Sequence, residues 1–341
     1  MDLVKEIRET LRANASSQYL AGLESVLAHI EIAERYHLRA KKERDEHLYT
    51  DVIYRTNHAF EGILKEAYLT LAEKPADKIT PYEIEAYLLE SNVLRSRVVD
   101  LLKNYRQEWR NPSTHDHKLF FSEQESFLAI VTVSAFVSIL LDQILEKLAY
   151  IRKSKELDSA AIPARDRIKN FEKLSSIDKV QRILASFADH FIKNYSTMSV
   201  YSMNTANAQM AAFIKKVAPD MNVELEPEIT LPSQRKLQLD LLVHVGTDKV
   251  VVDTHEPDHN YYPGDWLDDA PAINRLSEML YTLGLQDGIV FYYPRKSDDE
   301  VITTTTSSMW LHNLNLRVIH SVDPVYLIGE NFEEPANLVD E

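Results

Sequence analysis

The segments KLQLDLLVHV at residues 236–245 and KVVVDTHE at residues 249–256 decide the fold of the second half of this chain. Both are dense in valine and leucine, which is typical of strands buried within a sheet. Three more segments have this character: VELEPEITL at residues 223–231, GIVFYYP at 288–294 and LRVIHSV at 316–322. Apolar residues with helical spacing occupy residues 177–195, 206–217 and 272–283. This order predicts an α/β domain with an α-β-β-β-α-β mixed sheet.

The first half has helical patterns throughout, and residues 127–141 (FLAIVTVSAFVSILL) form its longest apolar run. These 15 uncharged residues fall short of the roughly 20 that a membrane span needs, and Thr132, Ser134 and Ser138 dilute them. The run therefore predicts a helix that is central to an all-helical bundle, or one that is shared between the bundle core and a homodimer interface, and it does not predict membrane insertion. Capping-box patterns at residues 80–83 and 122–125 predict two helix starts.

The domain boundaries follow from a polar stretch in the middle of the chain. Residues 153–175 are polar and interrupted by Pro163, which predicts a linker. The helical domain then spans residues 1–152, and the sheet domain spans residues 176–330. Residues 331–341 predict a frayed acidic tail.

Composition limits the classes of function. The 341 residues include no cysteine, which excludes disulfides, thiolate zinc sites and a cysteine nucleophile. The mean hydropathy of −0.30 and the charged amphipathic start MDLVKEIRET, unlike a signal peptide, predict a cytoplasmic protein. Of the net charge of −15, residues 156–341 contribute −13 (16 basic against 29 acidic side chains). This acidity argues against general coating of nucleic acid but leaves room for a local basic groove or for metal ions at a site.

The motif Arg110-Asn111-Pro112-Ser113-Thr114-His115 lies between a predicted helix ending near Trp109 and the helix that opens at Ser122. An arginine and a histidine at this spacing can place a permanent cation and a titratable imidazole in one pocket. The imidazole can transfer protons near neutral pH, and the guanidinium can hold a phosphate through two hydrogen bonds. This combination suits cleavage of an RNA phosphodiester without a metal.

With this motif and the capped apolar helix after it, residues 48–152 resemble the HEPN family of helical ribonucleases. The resemblance implies a homodimer with a composite cleft, in which Arg110 contacts the phosphate, His115 is the general acid/base and Asn111 orients the site. It also implies RNA cleavage to a 2′,3′-cyclic phosphate without a cofactor, with Asn57 or Glu61 supporting the cleft. His117 is the alternative histidine.

A second group of polar residues lies at strand ends in the sheet domain. Asp240 follows one apolar run, and Asp253-Thr254-His255 closes the next. Residues i and i+2 of a strand share a face, so Asp253 and His255 are expected to point into one site. If Asp240 and Asp253 share a metal, they must lie within about 4–6 Å of each other, and at least one pKa should be raised.

With this strand order, residues 177–325 resemble the PD-(D/E)xK restriction-endonuclease-like superfamily. The resemblance implies Asp240 and Asp253 as ligands of Mg²⁺ or Mn²⁺, with His255 as the third site residue. His255 stands where the family has lysine, and Lys249 or Arg275 can supply the missing cation. A set of Asp, Asp and His also suits Mn²⁺ or Zn²⁺.

Three hypotheses of function follow. The first is a metal-independent endoribonuclease, of the prokaryotic defence or toxin type, whose second domain senses or cuts nucleic acid. The second is a metal-dependent DNA endonuclease that the helical domain only dimerises. The third is a non-catalytic scaffold in which Arg110 caps a helix and Asp253–His259 is a polar loop.

Overall fold

The computed structural model describes residues 3–14, 17–76, 78–115, 119–159, 168, 170–193, 202–256, 266–294, 303–311 and 313–322. The chain divides into two compact units, Met1–Leu148 and Ala149–Glu341. The first is rich in helix and the second contains a six-stranded mixed sheet, which confirms the α plus α/β class.

Unit 1 is a bundle in which two long helices, α2 and α3, pack side by side around an apolar core. In this core the ring of Phe60 packs against the rings of Tyr105 and Phe136, and each of the three residues is at most 1% exposed. The predicted capping box at Thr80 is confirmed, since its hydroxyl accepts from Glu83 N and its own N donates to the Glu83 carboxylate. The helices are α1 (Leu3–Asn14), α2 (Ser17–Glu43), α3 (His47–Leu71), α4 (Pro81–Glu90), α5 (Ser96–Tyr105), a π-helical turn (Arg106–Arg110), α6 (Asn111–His115) and α7 (Glu123–Ser159).

Helix α7 contains the long apolar run, and its start confirms the second predicted capping box. Ser122 N donates to the Glu125 carboxylate, and Ser122 Oγ accepts from Glu125 N. Within the described residues, α7 is the one helix that could cross a membrane by length and composition, over Glu123–Asp158. However, 56% of its most apolar window is buried inside the protein, as in the core helix of a soluble protein.

The structure differs from the predicted linker at residues 153–175. Helix α7 continues to Ser159, and a 3₁₀ turn follows at Phe171–Lys173. Lys153, in this extension of the helix, is buried, and its Nζ lies 3.2 Å from Glu156 Oε2 and 3.0 Å from His190 Nε2. Because this polar residue has partners within unit 2, it is part of a packed helix and not of an exposed linker. Pro163 and the predicted tail at residues 331–341 lie outside the described residues.

Unit 2 is a mixed sheet in the order β1-β4-β5-β6-β8-β7, with a separate β2-β3 hairpin. Strands β4 and β5 are antiparallel, whereas β5, β6 and β8 are parallel neighbours. One face packs on α8 and α9 and the other on α10, because the buried strands are apolar on both faces. The elements are α8 (Ser176–Lys193), α9 (Met203–Val217), β1 (Asn222–Leu225), β2 (Glu228–Thr230), β3 (Lys236–Gln238), β4 (Leu241–Val245), β5 (Asp248–His255), α10 (Trp266–Leu283), β6 (Asp287–Tyr292), β7 (Thr303–Leu311) and β8 (Leu314–Val322).

Two predicted extended segments are each split into two strands. Pro227 and the left-handed Glu226 (φ 44°) separate β1 from β2, and Asp240 lies between β3 and β4. Strand β7 was not among the predicted strands, although its run of threonines has high β propensity.

Acidification is expected to destabilise unit 2 through His320, a β8 residue that is 2% exposed. Burial lowers the pKa of His320 to about 4 from 6.5. As the pH falls, the histidine of the unfolded chain binds a proton near pH 6.5, whereas His320 in the folded protein binds one only near pH 4. The folded state therefore has its full free energy of unfolding above pH 6.5 and loses part of it between pH 6.5 and pH 4. The loss amounts to about 3 kcal/mol at most. Urea unfolding at several pH values checks this, and His320→Gln should flatten the dependence in this window.

Candidate active sites

The backbone around Arg110 is shaped by the proline that follows it. Pro112 has no N–H and would crowd the carbonyl four residues earlier in a regular helix. The chain instead forms a π-helical turn over Arg106–Arg110, in which Asn111 N donates to Arg106 O. The helical path therefore continues to His115 instead of ending near Trp109, as the pattern predicted. Single π turns within helices are frequent at functional sites.

Arg110 is held at the bundle surface against helix α3. Its Nε lies 3.5 Å from Glu61 Oε1, and its Nη1 lies 3.5 Å from Asn111 Oδ1. The side chains of Arg110 and Glu61 are 23% and 31% exposed, so water and a ligand can reach this pair. Both distances are at the long end of the range for hydrogen bonds, and the planar fork of a guanidinium can bind a phosphate through two N–H groups.

A hydrogen-bond chain fixes the motif to the rest of the bundle. Tyr105 OH donates to Asn57 Oδ1 at 3.1 Å, and Asn57 Nδ2 donates to Ser113 Oγ at 2.8 Å. Ser113 Oγ in turn donates to Arg110 O at 3.0 Å. Burial raises the pKa of Tyr105, so its hydroxyl keeps its proton and remains a donor.

The structure thus brings together Arg110, Asn111, Asn57 and Glu61. Sequence reasoning missed Tyr105 and Ser113, although Ser113 lies inside the motif. The backbone of His115 belongs to α6, but its side chain and all of His117 lie outside the described residues. The predicted roles of His115 and His117 stay predictions.

The second candidate site lies at the ends of β4 and β5. One step beyond the Leu241–Val252 pair, Asp240 stands opposite Asp253 across the two strands. Asp240 Oδ2 accepts from Thr254 N at 2.7 Å and from Thr254 Oγ1 at 3.0 Å. His255 Nε2 lies 2.7 Å from Asp253 Oδ2, which confirms that Asp253 and His255 share a face.

The pKa of Asp240 shows the influence of burial and of the neighbouring carboxylate of Asp253. Burial is the largest cause that raises the pKa of Asp240, and the charge of Asp253 raises it further. The hydrogen bonds from Thr254 and the charge of Arg275 oppose this rise. The pKa of Asp240 is thus raised in the expected direction, and burial contributes more to this rise than the charge of Asp253 does.

Arg275 supplies the cation at this site. It lies in the middle of α10, and its Nη2 is 3.3 Å from Asp253 Oδ1. Asp253 is 1% exposed, and its Oδ1 accepts no hydrogen bond from the described residues. Lys249, the alternative cation, lies four residues before Asp253 on the same strand. The strand rise places their Cα atoms about 13 Å apart, which is too far for the two side chains to pair.

The two carboxylates fit a divalent cation in donor type, because hard oxygen ligands suit Mg²⁺ and Mn²⁺. Within the part of the chain that the structure describes, no group of three or more His, Asp or Glu side chains is arranged to hold a metal. The Arg275 guanidinium, with Nη2 3.3 Å from Asp253 Oδ1, lies beside one of the carboxylate oxygens that could bind a metal. Comparisons of the chain with protein-family models, curated proteins and solved structures found no match.

Proposed function

We propose that this protein is a metal-independent endoribonuclease whose active site lies around Arg110 in unit 1. The observation that carries the proposal is a part-exposed arginine on a π-helical turn, held by the Tyr105–Asn57–Ser113 chain. The HEPN-like character of residues 48–152 supports the same assignment. In the cell we expect a cytoplasmic effector of the defence or toxin type, whose substrate is RNA.

In the proposed mechanism Arg110 binds the phosphate of the scissile bond and stabilises the charge that develops on it. Asn111 and Glu61 orient the guanidinium. The 2′-oxygen attacks the phosphorus and the bond from phosphorus to the 5′-oxygen breaks, which leaves a 2′,3′-cyclic phosphate and a 5′-hydroxyl. His115 either accepts the proton of the attacking 2′-hydroxyl or donates a proton to the leaving 5′-oxygen, and water accepts or donates the other proton.

Incubation of the protein with total RNA and with plasmid DNA, each in EDTA, Mg²⁺ or Mn²⁺, tests the proposal. RNA cleavage that persists in EDTA is expected. Cleavage of DNA alone, and only with a metal, would favour the alternative in which the helical unit merely dimerises a DNA endonuclease. No cleavage in any arm would favour the non-catalytic scaffold.

Dimerisation is expected through the exposed face of α7. Phe127, Leu128 and Val131 are 54%, 51% and 47% exposed and lie within about one turn of each other. An apolar patch on an otherwise charged surface marks an interface. Val131→Asp is expected to weaken the dimer by about 30-fold or more, because it buries a charge at the centre of the patch.

Light scattering of the full chain at tens of micromolar checks this prediction. Tyr82→Asp is the matched control, since Tyr82 is 71% exposed on α4. A monomeric wild-type protein at this concentration would disprove both the dimer and the composite cleft.

Unit 2 supports a second candidate function, the binding of a divalent cation for contact with nucleic acid, DNA included. The carrying observation is the buried Asp253, whose Oδ1 lies 3.3 Å from Arg275 Nη2 and accepts no hydrogen bond from the residues that the structure describes. The order of α8, α9, β1, β4, β5, α10 and β6 supports a restriction-endonuclease-like fold. Asp240 and Asp253 would hold the cation, which would supply positive charge against a phosphate, and His255 would orient Asp253.

Arg275 and a metal compete for Asp253 in this arrangement. Arg275→Gln is therefore expected to increase the stabilisation by Mn²⁺, and Asp253→Asn to remove it. At a Mn²⁺ concentration about 100 times Kd the gain is about 2.7 kcal/mol. Thermal melting with and without Mn²⁺ measures this, and the absence of a shift in both wild type and Arg275→Gln would exclude the metal site.

A further inference from the structure

A continuous stripe of side chains on α3 leads to Arg110. The residues His47, Asp51, Tyr54, His58, Glu61 and Lys65 recur at alternating spacings of four and three, so they lie along one face of the helix. All of them are exposed except Glu61, which is half-buried and pairs with Arg110. Asn57, the partner of Ser113, lies next to this stripe.

Three of these side chains are flat rings that a nucleobase can stack on. Tyr54 is 49% exposed, so about half of its surface is open to a ligand. The exposed ring of His58 lies on the ring of His29, with centroids 5.1 Å apart and planes 20° apart, so one of its faces is already supported. The ring of His47 is in edge-to-face contact with the ring of Phe120, with centroids 5.6 Å apart, and Phe120 is 64% exposed.

The spacing of the rings suits a strand that runs along the helix. The helical rise places Tyr54 about 10 Å from His47, His58 about 6 Å further on, and Glu61 about 4.5 Å beyond His58. A chain bound on these rings would therefore reach the guanidinium of Arg110 at the end of the stripe.

The charges near the stripe permit a polyanion despite the acidic protein. Arg55, Lys65 and Arg110 are cations on or beside the stripe, and Asp51 and Glu61 are its carboxylates. The Glu61 carboxylate is already paired with Arg110. With Glu66, which directly follows Lys65, the three cations are balanced by three carboxylates, so this part of the surface is neutral and not acidic. The Arg55 guanidinium lies 5.8 Å from the ring centroid of Tyr36, which keeps it near the helix surface.

We infer that Tyr54, His58 and His47 form a base-stacking track that binds single-stranded RNA and guides it to Arg110. The inference rests on the proposed ribonuclease function for the identity of the ligand. Single-stranded RNA fits because its unpaired bases can stack on tyrosine and histidine rings, whereas a duplex hides its bases. The track would give the enzyme a preference for unpaired regions of its substrate.

The test separates binding from cleavage. The full chain is titrated, in EDTA, with a short 2′-O-methyl oligoribonucleotide that carries 2-aminopurine, because the methyl group blocks the 2′-hydroxyl nucleophile. Binding is expected to quench the 2-aminopurine fluorescence as it stacks. Tyr54→Ser and His58→Ser are each expected to raise Kd by roughly 5- to 150-fold, whereas Tyr54→Phe keeps the ring and should bind like the wild type.

The matched control is Tyr82→Ser, which removes an exposed tyrosine from α4 and should leave Kd unchanged. Equal Kd values for wild type, Tyr54→Ser and His58→Ser would overturn the track, as would equal binding of a duplex of the same sequence. A change of molecular mass by light scattering in Tyr54→Ser would also overturn it, because a second copy of the chain would then cover this face.

The two proposals fail in different ways. If natural RNA is not cleaved but the oligonucleotide binds as expected, the track stands and the ribonuclease assignment fails. If RNA is cleaved and Arg110 is required, but the Tyr54 and His58 variants bind normally, the ribonuclease stands and the track is wrong.

Discussion

Replacing Arg110 or His115 with alanine is expected to lower the rate of EDTA-resistant RNA cleavage by about 10²- to 10⁴-fold. Loss of a positioned general acid/base alone has this effect on proton transfer. Loss of the guanidinium removes a cation aimed at the phosphate, which costs a comparable factor in sites of this kind. Initial rates on a labelled single-stranded RNA in EDTA, with protein free of contaminating nuclease, measure both changes.

Matched variants make this result specific. Arg97→Ala removes an exposed arginine from the preceding helix, α5, and should cleave at the wild-type rate. Asn57→Ala should reduce the rate less than Arg110→Ala, since Asn57 holds the motif through Ser113 and contacts no substrate in the proposed mechanism. If His117→Ala is inactive while His115→Ala is active, then His117 is the catalytic histidine; normal cleavage by both would disprove the ribonuclease.

Phe187→Ala is expected to destabilise unit 2 by about 3–5 kcal/mol. The ring is fully buried, and its centroid lies between 5.5 and 6.4 Å from those of four other rings. Truncation loses the burial of the ring and leaves a cavity that the neighbouring rings cannot fill without breaking their own contacts. Those four neighbours are Phe191, Phe213, Phe291 and Tyr293.

Amide hydrogen exchange of the full chain measures this loss where it occurs. Amides of β5 and β6 that exchange by unfolding of unit 2 should exchange about two to four orders of magnitude faster in Phe187→Ala. The amides of α3 in unit 1 serve as an internal reference, and Tyr281→Ala, at a residue that is 54% exposed, is the control variant. Unchanged exchange in β5 and β6 would mean that this aromatic cluster does not stabilise the sheet.

The sequence by itself determined that a helical half precedes a half with a mixed sheet, and it determined two of the helix starts. Apolar periodicity predicted the bundle, the sheet and the helices that flank the strands in sequence, because local spacing dictates which side of an element is buried. The capping boxes at Thr80 and Ser122 were predictable because their hydrogen bonds join residues three apart. The pairing of Asp253 with His255 was predictable for a similar reason, since alternate residues of a strand share a face.

Only the tertiary structure decided which distant residues complete each site. Asn57 meets Ser113, and Arg275 meets Asp253, because of how helices pack, and no local pattern encodes those distances. The π-helical turn before Pro112 also needed the structure, since a proline in a helix either ends the helix or is absorbed by a wider turn. Which of these occurs depends on the contacts that hold the flanking residues: here Tyr105 lies in the core, and Ser113 is bound by Asn57.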